Sequence, residues 1–314
     1  MEWFGARIDG PMVTVRAIHF AATAVMAGSL MFRAVVAAPV LPSDRAAAGL
    51  LQTQTLQAGW IGLATTLASG VIWLQLQAMS MSGLPFHEAM ASNVLLTVMN
   101  RTQFGLVSEL RLVLALALAV CLTYDRLALS RWLGLVSALG LTAAIAWTGH
   151  AASTMGETGF LHLTADVLHV IAAAAWTGGL VALVRLMAVM RLHPGLAHFA
   201  RDVILRFSTL GIASVGTLLL SGTVNSWILA GSFHALVVTE YGRLLMLKIG
   251  LFAVMVAFAA VNRFRVTPQL AQTEPRLDVL DQLRRNSLIE IALGFTIFAI
   301  VGVLGTLHPA IHFL

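Results

Sequence analysis

Residues 161–187 read LHLTADVLHVIAAAAWTGGLVALVRLM. A helix rises 1.5 Å per residue, so this stretch outspans the roughly 30 Å hydrocarbon core of a bilayer. Its polar exceptions near the start are ordered. His162, Asp166 and His169 are spaced i, i+4, i+7, which places them on one stripe of a helix. Apolar length with a helical polar stripe reads as a membrane span that carries chemistry on one face.

Working outward, seven more apolar runs have spanning length: 12–38, 56–79, 105–123, 132–149, 207–230, 244–262 and 287–308. The whole chain of 314 residues is 59% hydrophobic and 11% charged, with a mean hydropathy of +0.87. Soluble domains carry about a quarter charged residues. The expected fold is therefore an all-α polytopic membrane bundle of eight helices, because only helices and closed barrels satisfy their own backbone in lipid. The N-terminal run belongs to a full-length span and lacks the basic leader of a signal peptide. The single cysteine, Cys121, lies inside an apolar run, which excludes an intrachain disulfide and reads as a small core residue.

The net charge of +5 has a topological explanation. With the N-terminus outside, 13 of the 19 Lys and Arg fall on the inner side: Arg33, Arg45, Arg126, Arg131, Arg185, Arg191, Arg201, Arg206, Arg263, Arg265, Arg276, Arg284 and Arg285. The positive-inside rule then places both termini outside. Anionic lipid accounts for the basic balance, and no nucleic-acid partner is called for. Residues 265–286 read as a linker or short surface helix, and residues 85–100 as an interfacial segment.

The two halves resemble each other. His19 is followed nine residues later by Gly28, and His169 nine later by Gly178. Ser69-Gly70 in the second span matches Ser221-Gly222 in the sixth. TQFG precedes the third span, with Arg111 six residues after Gly105; TEYG precedes the seventh, with Lys248 six after Gly242. The fourth span ends at His150 and the eighth reaches His308. The expectation is two four-helix halves in parallel, residues 1–150 and 151–314, with a site near their interface, as in some transporters.

Eight of the ten histidines fall on the outer side, with only His193 and His198 inside. Histidine in a span is costly unless partnered and usually marks function. His150, His162, His169 and Met155, with Asp166 as ligand or as the group orienting an imidazole, are the first candidates for metal. His19 and His308 follow as their repeat counterparts, with Met79 and Met81 as added thioethers. Imidazole with thioether suits copper, and thioether favours Cu(I). The same histidines also fit interhelical hydrogen bonding, and the methionines fit packing. Arg111 and Lys248 read as cations snorkelling to headgroups, or as partners of Glu109, Asp166 or Glu240. Asn225 reads as an interhelical hydrogen bond, and Glu290 as lining a path or pairing with arginine.

Several segments resemble one family. RFSTLG at 206–211, SGTVNSW at 221–227, TEYGRLLMLKIGL at 239–251 and VNRFR at 261–265 are similar to the copper resistance D proteins, the CopD/PcoD family of bacterial inner-membrane proteins. GHA at 149–151 and the H-x6-H-x6-W-x-GG run from His162 add to the resemblance, which is best over 160–265. It implies a copper-handling protein of the bacterial inner membrane, with both termini in the periplasm, that moves copper from periplasm to cytoplasm, either with a separate CopC-like periplasmic carrier or with none. Two alternatives stay open: a b-type cytochrome with haem held between paired histidines, and a copper sensor or chaperone without transport. CxxCH is absent, which excludes covalent haem. The P-loop pattern is absent too, and no motif indicates an enzyme.

Overall fold

Lipid offers the backbone no hydrogen-bond partner, so each apolar run closes its own ladder as a helix. The computed structural model contains eight helices long and apolar enough to cross a membrane. They are α1 (Gly10–Ala37), α2 (Ala48–Ser82), α3 (Gln103–Thr123), α4 (Ala128–Thr148), α5 (Gly156–Met190), α6 (Arg201–Ala230), α7 (Glu240–Gln269) and α8 (Asp278–Leu304). An even number of spans puts both termini on one side, the terminal face. The structure describes residues 2–3, 6–7, 9–40, 45–192, 199–271 and 277–313. His193, His198 and Arg276 lie outside them, as do the side chains of Arg45, Arg191 and His312.

Several helices run longer than their apolar cores. Polar first turns extend α2, α6 and α8, so part of the expected 265–286 linker is the start of α8. At the other end α8 stops at Leu304, and His308 stands exposed in the turn beyond it rather than on the helix. The fourth span tightens to a 3-10 turn at Ala144–Thr148, and His150 opens a separate one, His150–Ser153. The interfacial segment is two short helices, Phe86–Ala89 and Ser92–Arg101. Before α1, Glu2–Trp3 and Ala6–Arg7 form a two-residue antiparallel pair.

The matched TQFG and TEYG segments have a shared physical role. Thr102 caps α3 by accepting from the Gly105 amide, and Thr239 caps α7 by accepting from the Gly242 amide, each at 3.0 Å. Capping satisfies one of the orphan N–H groups of a first turn. The glycines leave room for the preceding short helix: a Cβ on Gly105 would strike the Val98 and Met99 carbonyls, and one on Gly242 the Ala235 and Leu236 carbonyls.

Each helix packs against its sequence neighbour in the pairs α1–α2, α3–α4, α5–α6 and α7–α8, while α1 also packs on α4, α5 and α8. The closest approach lies at the centre. A Cβ on Gly28 would meet the Ala174 carbonyl and the Gly178 backbone; one on Gly178 would meet the Ala24 carbonyl and the Gly28 backbone. Small residues let membrane helices approach to backbone contact, where packing rather than the hydrophobic effect holds them together. At this crossing α5 makes a π-turn over Ala174–Gly178, and α1 makes another lower down, over Phe32–Ala37. Toward the opposite face the Arg33 guanidinium grips Asp125 with two bonds of 2.8 and 2.9 Å, and Gln52 donates to the same carboxylate. This ties α1, α2 and the end of α3 together.

Gly178→Ala is expected to cost at least about 1–3 kcal/mol, the usual penalty of overpacking. Thermal unfolding in detergent measures it. Gly250→Ala, where an added Cβ meets nothing within 4 Å, is the control and should leave the midpoint unchanged or raised.

Candidate functional site

Two histidines, His19 buried and His169 half-buried, sit at equal depth on the central helices. His19 lies nine residues into α1 and His169 thirteen into α5, each nine residues before its crossing glycine. His19 Nδ1 lies 2.9 Å from Ser69 Oγ on α2, and His169 Nδ1 lies 3.0 Å from Ser221 Oγ on α6. Each serine has already spent its hydrogen on its own helix, on Thr65 O and Thr217 O, both at 2.6 Å. The serine oxygens therefore accept from Nδ1–H. A neutral imidazole has one donor and one acceptor nitrogen, so this bond leaves the lone pair on Nε2 in both rings. Gly70 and Gly222 follow the serines, and the ring Cε1 of each histidine rests 3.6 and 3.3 Å from where a Cβ would stand. Holding one ring nitrogen to present the other is how proteins orient a ligating histidine.

The surroundings of the two rings differ in charge. Next to His19, the Arg16 guanidinium lies 5.0 Å from the Trp73 ring centre and 5.7 Å from that of Phe20, and Arg111 lies 5.7 Å from Trp73. Both arginines are buried, and both act electrostatically on His19. Arg111 thus stacks on an aromatic ring instead of snorkelling, and no ion pair to a carboxylate accompanies it among the described residues. Arg16 Nε, Arg111 Nη2, Trp73 Nε1 and His19 Nε2 are buried without a hydrogen-bond partner.

Around His169 the charges have both signs. Asn225 Nδ2 donates to Asp166 Oδ1 at 3.0 Å, an α6-to-α5 bond. The same bond leaves Asn225 Oδ1 buried and unpartnered. Lys248, on α7, lies within electrostatic reach of both Asp166 and His169.

Nearer the terminal face, His162 is 1% exposed. Its Nδ1 lies 2.8 Å from Thr154 Oγ1, and it feels the charge of His150. His150 Nε2–H donates to the Leu304 carbonyl at 3.2 Å, and its ring meets Tyr241 edge-on at 6.0 Å. His150 thus docks between the ends of α7 and α8. Met155 is 91% exposed at the α5 start and points away from this cluster. Met79 is half-buried and Met81 exposed at the end of α2.

Among the described residues, no three His, Cys, Asp or Glu converge to hold a metal ion. The candidates instead form a descending series along α5: the His150–His162 pair at the mouth, then Asp166 with Asn225, then His169. Ser69 and Ser221 were missed as functional residues. Their signal was present, as the Ser-Gly pair repeated in α2 and α6, but it read as a repeat marker. Deeper still, Glu290 on α8 is 1% exposed and accepts from Asn262 Nδ2 at 2.7 Å, not from arginine.

Eight apolar spans around two serine-oriented imidazoles define a polytopic α-helical membrane protein with histidine sites in its spans. The chain belongs to the copper resistance protein D family: residues 7–160 match the copper resistance protein D-like N-terminal domain, and residues 201–304 match copper resistance protein D. Most of α5 falls between the two matches. The chain is 29% identical over 297 residues to the inner membrane protein YebZ of Escherichia coli K12, covering 95% of this chain and 98% of that protein. It is 29% identical over 262 residues to copper resistance protein D of Pseudomonas syringae pv. tomato, covering 77% and 80%. It is 32% identical over 162 residues to the copper transport protein CutJ of Bacillus subtilis, covering 52% of this chain and 28% of that protein. No solved structure matches.

If serine sets the tautomer, nitrogen-15 NMR of histidine-labelled protein will show His19 and His169 as Nδ1–H forms. Ser221→Ala should turn the His169 signal into a tautomer mixture and leave His19 unchanged. An unaltered His169 signal would refute the assignment.

Proposed function

We propose that this protein carries copper ions across a bacterial inner membrane, from the terminal face, taken as periplasmic, toward the cytoplasm. The two halves, residues 1–150 and 151–314, divide the work. The observation that carries this reading is the donor set assembled beside α5. His169 Nε2 holds a lone pair, Asp166 supplies a carboxylate, and Asn225 Oδ1 is buried without a partner. An imidazole nitrogen with carboxylate and amide oxygens suits Cu(II), while the thioethers of Met155, Met79 and Met81 near the mouth suit Cu(I). His150 and His162 stand above this set as the entrance.

The first half supports a different role. His19 has the same tautomer, but two guanidiniums flank it. Like charges in low dielectric repel strongly, so a cation favours His169 over His19. Lys248 supplies the counter-charge for Asp166 when no metal is present. His308 stands in the exposed turn past α8 and fits capture at the surface. A periplasmic CopC-like carrier delivering to this face fits the exposed Met155.

Copper uptake into proteoliposomes tests the proposal. His169→Ala is expected to lower copper affinity by about 10–100-fold, the range for disturbing an oriented ligand. His19→Ala should have a much smaller effect, and the triple variant His150→Ala, His162→Ala, His169→Ala should abolish uptake. Unchanged uptake in the triple variant sinks this site. A Soret band of bis-imidazole character in the purified protein would replace copper by haem b, and binding without uptake would leave a sensor or chaperone.

A further inference from the structure

The stripe on α5 does not end at His169. Trp176 follows seven residues later, as His169 follows His162, so all three lie near one face of the helix. Trp176 sits roughly 10 Å deeper than His169 at 1.5 Å per residue. There its indole stands beside Glu290 of α8. Asn262 of α7 donates to Glu290 Oε1, and Asn286 Nδ2 donates in turn to Asn262 Oδ1, both at 2.7 Å. Trp176 lies in the π-turn of α5, and Asn262 begins a second one, Asn262–Val266. Single π-turns inside α-helices occur often at functional sites, and here two of them bring Trp176 and Asn262 to one carboxyl.

Glu290 also lines a cavity of about 220 Å³ between α5, α6, α7 and α8, whose polar lining includes Ser208, Asn262, Arg263, Thr267 and Ser287. The charged groups facing this cavity are Glu290 from α8 and Arg263 from α7; α5 and α6 contribute none. Arg284 stands six residues before Glu290 on α8, and its Nε is buried without a partner. An ionisable group inside a membrane is costly and marks function by default. The donor set selects the ligand. Asn262 presents its N–H to Glu290 and its Oδ1 is already engaged by Asn286, and among the described residues Glu290 is the one anionic group lining the cavity, with Arg263 beside it against a cation. A proton needs only the carboxylate oxygen itself.

We propose that Glu290 is a proton-exchange site coupled to the copper path, taking a proton from water through the cavity and returning it there. The inference rests on the transport reading above, and it adds a proton whose binding is linked to that of copper. A cation near His169 and a proton on Glu290 repel across roughly 10 Å, which at an effective dielectric constant of about 20 amounts to on the order of tenfold in affinity. Copper arriving at His169 therefore favours loss of the proton, and protonation favours copper release.

Two measurements on the full-length protein in liposomes test this. Infrared difference spectroscopy across a pH titration should show the carbonyl band of a protonated carboxylic acid that responds to pH. Glu290→Gln should remove it, and Glu157→Gln, at an exposed first-turn position, should not. Asn262→Ala, which removes the donor to Glu290 Oε1, should move the pH at which the band titrates, so the proposal stays open to test if Glu290→Gln fails to fold. A band retained in Glu290→Gln, or one insensitive to pH, overturns the assignment. In the second measurement, an imposed pH gradient should change wild-type copper uptake by about tenfold, while Glu290→Gln retains uptake without that response. A gradient response equal to wild type in Glu290→Gln overturns the coupling. If wild-type protein takes up no copper at all, the transport reading fails, and the infrared titration still decides whether Glu290 exchanges protons.

Discussion

The backbone contact between Gly28 and Gly178 sets the geometry of everything around it. Two helices that touch at glycine cannot slide or rotate without losing that contact, because packing alone holds helices together in lipid. With the crossing pinned, His19 and His169 lie at one depth, nine residues before it on each helix. Each ring is then within reach of a serine on the next helix of its own half, and each serine is bonded to its own backbone. A distant steric contact thereby selects which imidazole nitrogen carries the lone pair.

The halves share this frame and differ in what the frame surrounds. Two arginines stack on Trp73 beside His19, whereas Asp166, Asn225 and Lys248 surround His169. Cation–π contact is a way to keep a guanidinium in an apolar site without a carboxylate. It also keeps the first-half histidine in a positive field. Duplicated geometry with unequal charge makes the two imidazoles unequal toward any cation, because the guanidiniums beside His19 repel it and the Asp166 carboxylate near His169 attracts it.

Much of the architecture was legible beforehand because its causes are local or periodic. Spanning length, helical spacing of His162, Asp166 and His169, and the loop bias of arginine all follow from neighbours in the chain. The paired TQFG and TEYG segments were visible as a repeat, although their work as threonine caps and glycine contacts was not. The errors have a common origin. His308 was carried onto α8 because apolar composition continues past the helix end at Leu304. Met155 was read as approaching the histidines from the loop before α5, and it stands exposed at the start of that helix. Arg111 was read as a snorkel because nothing in its own helix announces Trp73, which comes from α2. Glu290 was read as lining a path or pairing with arginine, and its hydrogen-bond partner is Asn262, which comes from α7.

By itself the sequence determined the class of the protein: an eight-span helical membrane protein, with a matched pair of histidines in its spans and the family resemblance that accompanies them. Those properties depend on hydropathy and spacing, which are summed along the chain. Only the tertiary structure decided which nitrogen each histidine presents, which histidine stands among arginines and which beside a carboxylate, and that Glu290 meets Trp176 and Asn262 at a cavity. Each of these depends on groups far apart in sequence brought within a few ångströms. In lipid, where water supplies no alternative partner, that proximity sets how each polar atom is satisfied.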